Sequence, residues 1–203
     1  MIIAMNMVLQ RYGGAQRGDM LVTCATIAQS FMLVVTMPLG GITGGTQSIL
    51  SYNYGACHVG RVRAGQRRIF GLCLGFTALM TAVAWLGGPL FVRLFTADAQ
   101  VAAQAQWAIR VCTLSLLPLG LQYEIVDGFT AIGQVRYSLP LSFWRKLVYF
   151  VALFVCPALF GAEAAFFAEP ISDLLGPAVS IVVYLLVMNR VLKKRLLTRR
   201  TEP

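Results

Sequence analysis

Charged residues are scarce in this sequence. Asp, Glu, Lys and Arg make up 12% of its 203 residues, whereas soluble globular domains carry about 25%. Apolar residues make up 58%, and the mean hydropathy is +0.71. So few charged side chains cannot cover the surface of a soluble domain of this size, which argues against a soluble enzyme and against a disordered chain. The composition is typical of an integral membrane protein.

The sequence also lacks the motifs of disulfide, metal and enzyme chemistry. Its five cysteines are odd in number and contain no CxxC pair, which predicts neither a disulfide framework nor a zinc site. It has no GxSxG, HExxH, P-loop or dinucleotide-binding pattern. We therefore expect a protein that is not an enzyme and that holds no organic cofactor.

Five apolar runs divide the chain, and each is long enough to cross the roughly 30 Å hydrocarbon core as a helix of about 20 residues. They cover residues 20–54, 69–91, 101–132, 139–160 and 164–188. Residues 1–9 are apolar but too short to span, and we interpret them as the end of a helix whose beginning is absent. The predicted fold class is all-α: an integral membrane, polytopic helical bundle of five full transmembrane helices plus a partial N-terminal helix.

Proline and glycine predict breaks in three of these runs. The first and third runs exceed one bilayer thickness, so each must tilt or contain a break. The candidate positions are Pro38 with the glycines of residues 40–45, Pro118 with Gly120, and Pro170 with Gly176 and Pro177.

Basic residues predict the orientation. Thirteen of the 17 Lys and Arg residues fall in two of the connections or their flanks and in the C-terminal tail, against three in the alternate connections. The positive-inside rule assigns the richer side to the cytoplasm, so we expect a cytoplasmic C-terminus. This topology also accounts for the net charge of +9, with anionic lipid headgroups rather than nucleic acid as the partner.

Acidic residues are the main functional clue. Only eight are present, and four of them lie within apolar runs: Glu124, Asp127, Glu169 and Asp173. A charged side chain at the centre of a membrane helix costs about 2.5–3.5 kcal/mol on insertion scales. Residues three or four apart share one helix face, so each pair could hold Na⁺, a proton or a cationic substrate in a common cavity. The alternative is that these acids lie near an interface or pair with Arg110 or Arg145.

Several segments carry a resemblance to a known family. Residues 44–65 read GGTQSILSYNYGACHVGRVRAG, and this stretch resembles the end of the eighth helix of the multidrug and toxic compound extrusion (MATE) family. Four other stretches are similar to segments of that family in the same order. They are residues 5–20, 94–111, 129–146 and 167–180.

The resemblance implies half of a twelve-helix MATE fold. Proteins of this family have two six-helix lobes and export organic cations in exchange for Na⁺ or H⁺. Residues 1–190 would be the C-terminal lobe with its first helix truncated, and residues 191–203 a basic cytoplasmic tail. The implied setting is the cell membrane, and the implied partners are the lipid bilayer, cationic amphipathic small molecules and the missing N-terminal lobe.

The resemblance also implies site residues. Asp127 and Tyr123 match the family's cation site on the tenth helix, with Na⁺ at Asp127 as one candidate. The family's acidic partner on the seventh helix has no counterpart here, and Ser48 and Thr130 depart from the usual proline and glutamine. The full set of candidates is Tyr123, Glu124, Asp127, Glu169 and Asp173 for cation coupling and the substrate cavity, with Gln47, Asn53 and Gly55 in the eighth-helix motif.

Three other functions stay open on the sequence alone. The chain could be an inert gene fragment, a related flippase for lipid-linked glycans, or a membrane-embedded enzyme that uses the acid pairs. The coding sequence upstream of Met1 would separate a truncated transporter from an inert fragment.

Overall fold

The computed structural model describes residues 2–201, which form seven α-helices, one 3₁₀ helix and no strand. The α-helices are α1 (Ile2–Gly55), α2 (Val59–Leu86), α3 (Gly88–Arg93), α4 (Ala99–Cys112), α5 (Leu116–Ala131), α6 (Val135–Phe160) and α7 (Ala168–Thr201), and the 3₁₀ helix covers Ala162–Phe167. Four stretches of the described residues are long and apolar enough to cross a membrane, and a fifth span results when α4 and α5 count as one. The predicted all-α membrane bundle is confirmed.

The first helix is broken at a glycine near its start. Gly14 has φ 70° and ψ 179°, a backbone conformation that glycine adopts without steric cost. A Cβ atom at Gly13 would lie 2.8 Å from the Cα atom of Gly18, so the two helical parts pack backbone against backbone. The short N-terminal segment is thereby separated from the span that begins at Arg17.

The break predicted near Pro38 is wrong. Helix α1 continues through Pro38 and the glycines that follow it, as far as Gly55. Leu39 and Thr43 are fully buried on the next turns, and packing against neighbouring helices compensates for the hydrogen bond that a proline removes.

The break predicted in the third run is confirmed, a few residues earlier than its proline. Helices α4 and α5 meet at residues 113–115 with a bend of 48°. The hydroxyl of Ser115 donates a hydrogen bond to the carbonyl oxygen of Pro170 (3.1 Å), which ties the bend to α7. Pro118 lies in the first turn of α5, where a missing N–H leaves no helical bond unmade.

The break predicted in the fifth run is wrong. Helix α7 runs without interruption from Ala168 to Thr201, with Pro177 inside it. Pro170 lies in the first turn, where proline is tolerated, and Pro177 is buried among neighbouring helices. The helix continues through the segment expected to be a basic tail.

Helix α5 lies at the centre of the bundle, in contact with α1, α2, α6 and α7. Two apolar cores adjoin it, one mainly around α1 and α4 and the other around the ends of α1, α2 and α7. Four of the five free cysteines are buried, as expected for small apolar side chains. The helix that carries Tyr123, Glu124 and Asp127 therefore packs against four other helices.

Candidate functional site

A groove between α5 and α6 holds the carboxylate of Asp127. Its cavity is about 190 Å³ and is lined by Gln122, Tyr123, Val126, Asp127, Ser142, Arg145 and Lys146. Asp127 accepts a hydrogen bond from the hydroxyl of Thr43 on α1. Tyr123 lies one turn before Asp127, and a Cβ atom at Gly40 would be 3.8 Å from its ring. The structure thus brings Tyr123 and Asp127 together in one groove.

A second cavity of about 230 Å³ adjoins the first. It is lined by Glu169, Ser172 and Asp173 from α7, and Tyr123 and Arg145 line both cavities. Arg145 Nη1 donates to Asp173 Oδ1 at 2.9 Å. Asp173 therefore forms an ion pair with Arg145, which is one of the two arginines that the sequence left open as partners of the buried acids.

Two basic residues of the groove were not among the candidates from the sequence. Arg145 and Lys146 both line it, and Arg145 is compensated by Asp173. Their position about two turns into the fourth apolar run was the available signal, because basic residues at that depth rarely lack a function or a partner. Lys146 was counted only as an orientation marker, and Arg145 was considered besides only as an ion-pair partner of the acids.

A glycine on α7 allows these polar side chains to approach. A Cβ atom at Gly176 would lie 2.6 Å from Gln122 Oε1 and 2.9 Å from Arg145 Cγ. Real Cβ atoms do not come so close to other heavy atoms. The small residue therefore sets how near α5 and α6 can pack against α7.

Glu124 lies away from both cavities. Its side chain is 1% exposed, and the residues that line the two cavities do not include it. Gly128 on the same helix borders both Glu124 and Gln66 of α2. The acid pair expected to share one cavity is therefore divided, with Asp127 at the groove and Glu124 inside the bundle.

The eighth-helix motif lies at the end of α1. The side-chain amide of Asn53 donates a hydrogen bond to the backbone carbonyl of Ile49 (2.8 Å). The backbone carbonyl of Asn53 accepts a hydrogen bond from the His58 N–H (2.8 Å). The Gly55 carbonyl accepts from Arg195 Nη2 at 2.9 Å. Gln47 is half-buried about two turns before this end. Asn53 and Gly55 thus terminate the helix, and they do not line either cavity described above.

Comparison with known proteins decides the family. The sequence profile of the MatE family matches residues 1–155. The chain belongs to the MatE family. It is 27% identical over 189 residues to the multidrug export protein MepA of Staphylococcus aureus (strain NCTC 8325 / PS 47), and the match covers 91% of this chain and 40% of that relative.

Solved structures of MATE proteins share the fold. A crystal structure of MATE in the bent conformation aligns with a TM-score of 0.84 and 17% identity over 95% of this chain and 42% of that chain. An outward-facing multidrug resistance MATE family transporter aligns with a TM-score of 0.82 and 20% identity over 95% and 43%. The chain spans about 40% of the length of the curated relatives that it matches, so the MatE fold is present here in part.

Proposed function

We propose that this chain is the C-terminal lobe of a multidrug efflux antiporter in the cell membrane, which exports organic cations in exchange for Na⁺ or H⁺. The observation that carries the proposal is the groove in which the Asp127 carboxylate lies one helical turn from the Tyr123 ring. A carboxylate and an aromatic face are the two groups that attract an organic cation, the first by charge and the second by its π electrons. The similarity to the multidrug export protein MepA supports this assignment.

The coupling ion and the substrate would compete for Asp127. Thr43 already donates to this carboxylate, which leaves further acceptor positions for a cation. A proton or Na⁺ that occupies Asp127 would weaken the binding of a cationic drug, and this exclusion is what exchange requires. Lys146 is exposed at the same groove, and its positive charge would weaken the binding of any cation that Asp127 does not hold directly.

The bilayer and a second lobe would be the partners of this chain. Alternating access needs one repeat to rock against another around a central site, and five spans provide a single lobe. The basic ends of α2 and α7 would face the cytoplasm, with the C-terminus on that side. Anionic headgroups of that leaflet would contact them.

The transport test uses proteoliposomes. The purified chain is reconstituted alone and with the N-terminal half of MepA, and movement of a fluorescent organic cation is followed under an imposed Na⁺ or H⁺ gradient. We expect gradient-driven transport when both halves are present, with loss of most of it in D127N. D19N is the matched control, because Asp19 is exposed at the start of the first span.

Two results would contradict the proposal. One is equal gradient-driven transport by D127N and the unchanged chain. The other is the absence of transport from both preparations of the unchanged chain, which is what an inert fragment gives.

A further inference from the structure

A buried polar cluster joins three helices behind the groove. It consists of Gln66 on α2, Glu124 on α5 and Tyr184 on α7, which we call the Glu124 cluster. Tyr184 donates its hydroxyl to Gln66 Oε1 at 3.2 Å. The side chains of Gln66 and Glu124 are each 1% exposed. Gln66 and Glu124 therefore lie out of contact with lipid and with the groove, and Tyr184 is half-buried beside them.

Three polar atoms of the Glu124 cluster have no hydrogen-bond partner. They are Gln66 Nε2 and both carboxyl oxygens of Glu124. A Cβ atom at Gly128 would lie 3.0 Å from Gln66 Nε2 and 3.5 Å from Glu124 Oε1. An unpaired donor and an unpaired acceptor thus flank the same glycine.

No cation compensates Glu124 among the described residues. Neither of the two ion pairs found there includes it. Its titratable neighbours are Cys73 on α2, Tyr184 on α7 and Asp127 on its own helix.

The other elements around α5 bring no positive charge to Glu124 either. Arg63 of α2 interacts electrostatically with Tyr184. Two basic residues of α6, Arg145 and Lys146, line the groove instead. Helix α1 carries no charged residue from Met20 to Gly55. A carboxylate buried without a partner is strongly destabilising, so this site requires a bound positive ion or a proton.

We propose that Glu124 is a proton-binding site, separate from Asp127, whose occupancy sets the orientation of the Gln66 amide. A metal ion takes several oxygen ligands, and the Glu124 cluster supplies a single carboxylate. A proton needs only one carboxyl oxygen and one acceptor.

The Gln66 amide can serve both states of the site because it has a donor end and an acceptor end. With Glu124 ionised, Nε2 donates to Glu124 and Oε1 accepts from Tyr184. When a proton binds to a Glu124 oxygen, the new O–H donates to Oε1 after the amide rotates, and Nε2 then donates to the Tyr184 oxygen. One proton thereby rearranges the contacts that join α2, α5 and α7, three residues before Asp127.

Infrared difference spectroscopy on the purified chain in liposomes tests this site directly. The spectrum is compared between low and high pH, with ¹³C in the glutamate carboxyl groups to separate them from aspartate. We expect the carbonyl stretch of a protonated, poorly solvated glutamic acid that titrates with pH and disappears in E124Q. The band should remain in E163Q, since Glu163 is part of a solvent-exposed pair with Arg17, and in E169Q.

A second variant keeps the test decisive if E124Q fails to fold. Y184F removes one hydroxyl and should shift both the frequency and the pH midpoint of the band. Three results would overturn the proposal: the band persists in E124Q, it disappears in E169Q instead, or it does not move in Y184F. The absence of any such band would also overturn it. The measurement needs no transport, so its failure is distinct from failure of the antiport function.

Discussion

The hydroxyl of Thr43 on α1 donates a hydrogen bond to the carboxylate of Asp127 on α5. These residues are 84 positions apart in the chain, and Thr43 is 1% exposed. The bond fixes the rotamer of the one acid in the groove, and a second bond from the Ser51 hydroxyl to the Ala131 carbonyl (2.6 Å) joins the same two helices near their ends. Position and orientation of Asp127 therefore depend on α1.

Removal of the Thr43 hydroxyl should destabilise the lobe. Thr43→Val keeps the shape of the side chain but leaves Asp127 without this donor, and a hydrogen bond to a charged group contributes about 1.5–3 kcal/mol. The free energy of unfolding in detergent measures the effect. Thr43→Ser is the control and should retain most of the stability, and equal values for the two variants would show that the bond contributes nothing.

The Arg145–Asp173 pair should show strong coupling. Its N···O distance is 2.9 Å, with the Asp173 side chain 4% exposed, and removal of one partner of a buried pair costs about 3–5 kcal/mol. Because the Arg145 side chain is 24% exposed, we expect the lower end of that range for R145Q and D173N. The double variant should lose less than the sum of the two, and an additive result in unfolding experiments would mean that the ion pair has no net effect.

Gly176→Ala should destabilise the packing of α7. The new methyl group would meet Gln122 Oε1 and Arg145 Cγ at 2.6 and 2.9 Å, and overpacking of this kind costs about 1–3 kcal/mol. Gly71→Ala on α2 is the control, since nothing lies within 4 Å of its Cβ position, and alanine favours a helix there. Thermal unfolding should separate the two, and a G176A protein as stable as G71A would contradict the close approach.

Arg195 should hold the end of α1 in place. Its guanidinium donates to the carbonyls of Tyr54 (3.3 Å) and Gly55 (2.9 Å), and its Cζ atom lies 5.7 Å from the centre of the Tyr54 ring. Arg195→Gln removes both bonds, so hydrogen exchange over residues 51–57 should become faster. Lys193→Gln is the matched control on the exposed face of α7, and equal exchange rates in the two variants would contradict this role.

Hydropathy was sufficient to predict the class of fold and the spans. Runs of apolar residues leave a helix as the only way to satisfy the backbone in lipid. The sequence predicts a bend in the third run near Pro118, and the structure places it at residues 113–115, just before that proline. Breaks at Pro38 and Pro177 could not be excluded from sequence, because they depend on whether neighbouring helices compensate for the lost hydrogen bond.

The division between Glu124 and Asp127 shows what the sequence could not decide. Residues three apart on an α-helix are separated by about 60° around its axis. That angle is small enough to be read as one face, yet large enough for one side chain to enter the groove and the other to face α2. Which side chain does so depends on the position of Gln66 and Gly128, brought together only by the packing of α2 on α5.

The role of Asp127 is tested most directly by the binding of an organic cation. The affinity of a fluorescent organic cation for the purified chain is measured by anisotropy for the unchanged protein, D127N and the exposed control D19N. D127N should weaken binding by at least about tenfold, which corresponds to about 1.4 kcal/mol, and D19N should bind as the unchanged protein does. Equal affinities for D127N and the unchanged chain would contradict this role of Asp127.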